Sequence, residues 1–113
     1  MKLVNLTPHP VNLIISGKEI VIPPAGTVAR VREVIQDVGT LVLEDGTEVP
    51  LRRKMLASEI EGLPEPQPGV IYIVSFLAAQ AAWLQGRTDV VAVGDPVRDE
   101  QGRIIGVTSL YVP

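Results

Sequence analysis

Cysteine is absent from this sequence, and histidine occurs once, at His9. The first absence removes disulfide frameworks, thiolate zinc sites and cysteine nucleophiles. The second leaves any metal centre to one imidazole and scattered carboxylates, short of the three or four ligands needed. No metal is expected. Aromatic residues are scarce: Trp83, Tyr72, Tyr111 and Phe76 are the whole set, so Val, Ile, Leu and Ala must build the core. No run reaches the ~18 apolar residues that span a bilayer. The start, MKLVNLTPHP, lacks the charged-then-apolar order of a signal peptide. A cytoplasmic protein without a membrane partner is expected, residing in the host cytoplasm if the origin is viral. The net charge of −3 lacks the basic excess of a duplex nucleic-acid binder. Phosphate-loop, dinucleotide and serine-hydrolase motifs are missing too, and no cofactor is expected.

What remains is a chain of 113 residues, 46% apolar and 20% charged, the size and balance of a single domain covering residues 1–113. Turn chemistry divides it into short strands. VNLIISGKEIVI (11–22) reads as a hairpin turning at Gly17-Lys18, with Ile15 facing Ile20 and Leu13 facing Ile22. Pro23 and Pro24 end it, since neither can donate to a ladder. TVARVREV (27–34) follows as a half-buried strand of imperfect phase. TLVLEDGTEVPL (40–51) predicts a second hairpin. A three-residue loop, Asp45 to Thr47, sets Leu43 against Val49 and Leu41 against Leu51, keeping the apolar face together. Met55 to Glu61 reads as strand. Arg52-Arg53-Lys54 reads as a solvated face.

GLPEPQPGVIYIVS (62–75) joins alternating prolines to an unbroken β-forming run. The prolines predict an extended crossing that delivers Val70 to Ser75 into the middle of a sheet. Tyr72 alternates with Val70 and Val74, Ile71 and Ile73 taking the other face, so this strand is expected to be central and Tyr72 to be core. One helix is predicted, about 76–85, capped by Ser75 and stopped by Gly86. FLAAQAAWLQ is apolar nearly all round, which predicts cover on more than one side, from a sheet or another subunit. Strands resume at RTDVVAVGDPV, and GDPVRDEQGRIIGVTSL (94–110) closes the chain as a last hairpin. The expected class is α+β, mostly β: a small antiparallel sheet or partly open barrel built from hairpins with one helix.

Five residues are candidates for a site. In the last hairpin, an Asp99–Gly102 loop pairs Val97 with Ile104 and stands Arg98 opposite Arg103. Like charges directly across a ladder repel, so either Asp99 and Glu100 neutralise them or they converge on a phosphate or carboxylate, with Arg87 as a third cation. Arg87 and Asp89 flank the helix end, where they can equally pair with each other or answer the helix dipole. His9, in LTPHP, reads as a ligand-contacting imidazole or general base. The plainer alternative is a histidine fixed in a rigid turn by its flanking prolines.

Several phrases stand together: NLTPHPVNL, IPPAGTVARV, GLPEPQPGVIYIVS, AAQAA, RTDVV and VRDEQGRIIG. In combination they resemble a family of short proteins encoded in phage genomes, prophages and scattered bacterial chromosomes. The likeness covers most of the chain. It implies a compact phage-type accessory protein and brings no catalytic residues to carry over. The expected function is a non-enzymatic, homo-oligomeric protein binding a small anionic ligand through Arg98, Arg103, Arg87, His9 and Asp89. A nucleotide is the leading candidate, and sequestering a host nucleotide signal would be an anti-defence role. The alternative is a structural or protein-binding module, a virion component or an inhibitor of a host enzyme, using the apolar helix or an exposed strand edge. An enzyme built on His9 with Asp89 or Asp99 is the minor possibility.

Overall fold

Val70–Val74 is apolar on both faces, and it sits where both faces can be covered. A computed structural model describes residues 1–113. In it, β6 (Val70–Val74) lies between β1 (Lys2–Asn5) and β7 (Val90–Val93), parallel to both, and β10 (Leu110–Tyr111) joins β7 antiparallel. The chain leaves β6 through α1 (Phe76–Leu84), whose N-terminus is capped as the sequence predicts. The Ser75 Oγ accepts the Ala78 N–H at 3.3 Å. Buried Ala78, Ala79 and Ala82 let the helix lie close on one face of the sheet, against Tyr72, Val74, Val90 and Ala92. Ile73 and Val91 point the other way, as alternation requires, into a second cluster with Val11, Leu13 and Val107.

Those three residues belong to a second sheet. Its order is β3 (Lys18–Ile22), β2 (Val11–Ile15), β9 (Ile104–Val107) and β8 (Pro96–Arg98). The body is thus layered helix, sheet, sheet. The mostly-β class with one helix is as expected, and no sheet closes into a barrel. The strand directions depart from expectation: β1–β6, β6–β7 and β2–β9 are parallel pairs. A helix placed between β6 and β7 returns the chain to its starting end, and the next strand must then run parallel.

The hairpin registers also shift. β2 and β3 pair Val11 with Ile22, Leu13 with Ile20 and Ile15 with Lys18, so the turn is Ser16-Gly17 and not Gly17-Lys18. Both turn residues have positive φ, 51° and 78°, the geometry whose twist matches a hairpin. At the second hairpin the Leu43 N–H reaches the Thr47 carbonyl and Leu41 faces Val49. The loop has three residues as expected, but begins one earlier, at Glu44. A slip of two residues leaves the same side chains on the same face.

The two pieces of strand read at 27–34 and 40–42 prove to be one. β4 (Arg30–Val42) pairs along its length with β5 (Glu48–Glu61), and no third strand joins them. This ribbon projects from the body. The radius of gyration is 18.6 Å and the long axis 61 Å, whereas a compact chain of this length has a radius near ~13 Å. Its foot is anchored: Ala29 is buried, and Val31 and Ile60 pack on the cluster around α1. From β5 the proline segment crosses without strand structure to β6. No helix is long and apolar enough to cross a membrane.

Candidate functional site

The expected pairing of Arg98 with Arg103 does not form. Val97 pairs with Gly106 and Arg98 with Ile104, an irregularity separating the two pairs. The cause is Asp99. Its Oδ1 accepts the N–H groups of Gln101 and Arg103, both at 2.9 Å, and its N–H meets the Arg103 carbonyl at 2.8 Å. That closes a three-residue loop and moves the register by one, which turns the two arginines away from each other. Each is occupied locally. Arg98 Nη1 donates to the Gly102 carbonyl at 2.8 Å, and Arg103 Nε to Asp99 Oδ2 at 3.2 Å, with a further contact to Gln101.

Arg87 and Asp89 do meet, which is the plainer of their two readings. Nε and Nη2 of Arg87 each donate to an Asp89 oxygen at 2.8 Å, and Nη2 also reaches the Pro64 carbonyl at 2.9 Å. The Arg87 hydrogen bonds hold the Asp89 carboxyl below its ordinary range against the opposing effect of burial, and the Arg87 pKa is raised correspondingly. The Asp89 carbonyl accepts the Tyr72 N–H, and the Tyr72 hydroxyl reaches back to the Glu65 carbonyl at 3.4 Å. The pair therefore ties the proline segment to β6 and to the end of α1.

His9 is exposed and stands apart from these arginines. It borders a cleft of about 310 Å³ with Thr7, Asn12, Ser75, Val93 and Ile105. The cleft opens at the carboxyl ends of β6 and β7, where open parallel sheets commonly take ligands. His9 is its single titratable side chain, and Arg87, Arg98, Arg103 and Asp89 are not in its lining. An imidazole with no carboxylate beside it lacks the orienting acid of a hydrolytic triad. No group of three or more His, Asp or Glu side chains is placed to hold a metal ion.

The turn that carries His9 is fixed by a residue the sequence reading passed over. Asn5, 1% exposed, donates from Nδ2 to the carbonyls of His9 (2.8 Å) and Ile22 (3.0 Å). Its Oδ1 accepts from the Thr7 N–H (3.0 Å) and hydroxyl (2.6 Å). An Asn two residues ahead of a Thr, at a strand end, is the local signal of such an Asx turn. Asn12, also passed over, donates to the Ile105 carbonyl while its Oδ1 is buried without a partner.

The largest unsupported surface is the ribbon. Asp37 faces Arg52 and Gly39 faces Leu51, so Val38 is an extra residue in β4 while β5 alternates unbroken from Glu48 to Leu56; a second irregularity, near the foot, sets Ala57 to Glu59 of β5 against Arg32. Val49, Leu51, Arg53 and Met55 consequently share a face with their cross-strand partners Leu41, Gln36 and Val34, and Leu43 continues the alternation. The opposite face is mixed: Glu33, Asp37, Arg52 and Lys54 are joined as Lys54–Glu33 at 3.0 Å and Arg52–Asp37 at 3.1 Å, and exposed Ile35, Val42 and Leu56 stand among them. The first face has nothing behind it: Val34, Leu41, Leu43, Val49, Leu51 and Met55 are 36% to 51% exposed. No family model matches this chain, and neither a curated protein nor a solved structure does.

Proposed function

We propose that this chain is a non-enzymatic, protein-binding accessory module whose contact surface is the β4–β5 ribbon. The observation that carries this is the exposed apolar surface of the ribbon, with six large side chains together on the face free of ion pairs and held clear of the body. A contiguous exposed patch of that kind marks a protein contact, and a lone two-stranded ribbon is marginal in water until something covers it. The dispersal of Arg98, Arg103 and Arg87 into local bonds weighs against an anion site built on them. The phage-like phrases suit such a module, as a virion component or an inhibitor of a host enzyme.

A photoreactive residue at Leu51 tests this in cells that produce the protein. Light is expected to yield a covalent protein adduct from Leu51 and none from Glu19, an exposed position on β3. Adducts from both alike, or from neither, would remove the ribbon as the contact.

One observation favours a second reading, a small anionic ligand such as a nucleotide in the His9 cleft. The cleft borders the N-terminus of α1, whose first N–H groups suit negative charge. Thermal-shift titration with cyclic and linear nucleotides and with inorganic phosphate tests it. Stabilisation that is lost in His9→Ala supports the reading. No shift by any of these ligands sinks it.

A further inference from the structure

We infer that the ribbon's apolar face is covered by the same face of a second copy, the two ribbons stacked antiparallel about a two-fold axis at the Leu41–Val49 pair. This rests on the reading of the ribbon as a contact surface and names its partner. The charge pattern selects the partner. Between the Val34–Met55 pair and the tip, Arg53 is the only charge on this face (Arg32 alternates onto it nearer the foot), and Arg53 has no ion-pair partner in its own chain, unlike Arg52 and Lys54 beside it. The tip carries Glu44 and Asp45, which no cation of this chain meets, and the Asp45 carboxylate is aimed at the Thr47 N–H.

Spacing then sets the register. Asp45 lies four residues beyond Leu41, and Arg53 lies four residues beyond Val49, in the opposite direction along the ribbon. At roughly 3.3 Å per residue Arg53 stands ~13 Å from the axis, and Asp45, at the loop apex beyond Leu43, stands a little over ~7 Å from it on the other side. A two-fold rotation therefore lays the acidic tip of one copy near Arg53 of the other, twice, and lays Leu43 over Gly39, in the space beside Leu51, between them. The surface is complementary to itself, which is the condition for an isologous contact that closes as a dimer and does not run on as a fibre. A foreign partner would need its own matched acid and apolar spacing; a second copy has both already.

Size sets the strength. The overlapped face is ~27 Å long and about two strands, ~10 Å, wide, on the order of 300 Å² per copy. At ~600 Å² in total the contact is well below a standard interface, so monomer and dimer are expected to exchange rapidly, the dimer gaining weight towards millimolar concentration.

Sedimentation of the full chain across micromolar to millimolar concentrations is the test, with near-ultraviolet dichroism of Trp83, which lies in the body, reporting that each variant is folded. The wild type is expected to pass from monomer to dimer, and Leu41→Glu to stay monomeric. Arg53→Glu and Asp45→Arg are each expected to weaken the dimer about tenfold, and the two together to restore it. A dimer or larger assembly untouched by Leu41→Glu overturns the inference, as does a double variant no better than the singles. A folded wild type that is monomeric throughout, yet gives adducts to another protein from Leu51 in cells, overturns the second copy and leaves the ribbon as a contact. A monomer that gives no adducts removes both.

Discussion

Asn5 is a small residue with a large share of local order. Two of its hydrogen bonds hold carbonyls that lie four and seventeen residues away in the chain, and two more hold Thr7. Asn5→Ala leaves those groups without partners, some of them buried, and is expected to cost about 2–4 kcal/mol of stability. Urea unfolding followed by Trp83 fluorescence measures it; a loss within a few tenths of a kcal/mol would mean that water replaces the amide. Asp89 makes a prediction about pH. Hydrogen bonds from Arg87 hold its carboxyl below the ordinary 3.8. A carboxylate depressed in the folded state stabilises it above the unfolded value, and that contribution is lost as pH falls through the folded value. Asp89→Asn is therefore expected to be less stable at neutral pH by about 2 kcal/mol. The gap to wild type should close as the pH is taken below 3.8. Denaturant midpoints of both proteins across the acid range decide the point, and a constant gap would refute it.

Among the elements, the helix and β6 are written locally and were legible. Ser75 and Gly86 mark the helix ends, and VIYIV needs cover on both faces whatever surrounds it. The ribbon was not legible as one element, because the bulge at Val38 breaks the alternation of β4 in its middle. Its apolar residues also look like those of a core strand, and nothing in the sequence says that no core lies behind them. The candidate site was legible in the same uneven way. Arg87 and Asp89 are two residues apart and could be paired by inspection, whereas the turn around His9 depends on the Ile22 carbonyl, far along the chain. Arg98 and Arg103 were misplaced because one carboxylate, Asp99, chose the loop. Two glycines make a prediction at this scale. Gly46 and Gly62 both have positive φ, 88° and 80°, but a Cβ at Gly46 meets open space while one at Gly62 meets the Val28 carbonyl oxygen at 2.6 Å. Gly46→Ala is expected to cost ~1 kcal/mol from backbone strain alone. Gly62→Ala, with strain and a backbone clash at the ribbon foot, is expected to cost more than ~2 kcal/mol. Equal midpoint shifts in urea would contradict this reading.

The whole molecule is two regions of unequal support. The body has two clusters, one on either side of the sheet that contains β6, and the ribbon beyond its foot has one ladder and two ion pairs. Local opening free energy follows buried apolar contact. In dilute solution the amides of the strand pairs around Leu41–Leu51 are expected to exchange far faster than those of Val70–Val74, and to slow as concentration rises if copies associate. Hydrogen-exchange mass spectrometry at two concentrations reads both effects, and equal protection of tip and β6 at low concentration would show the ribbon to be self-sufficient. The two ends of the ribbon, Arg30 and Glu61, leave the body side by side as a register pair. Topologically, then, the ribbon is an insertion in a body that is otherwise continuous, and the body does not register how far it extends. Mutation can lengthen, shorten or re-surface it without rewiring a single strand of either sheet. The part that makes contact can change at the pace of its partner while the part that folds stays fixed.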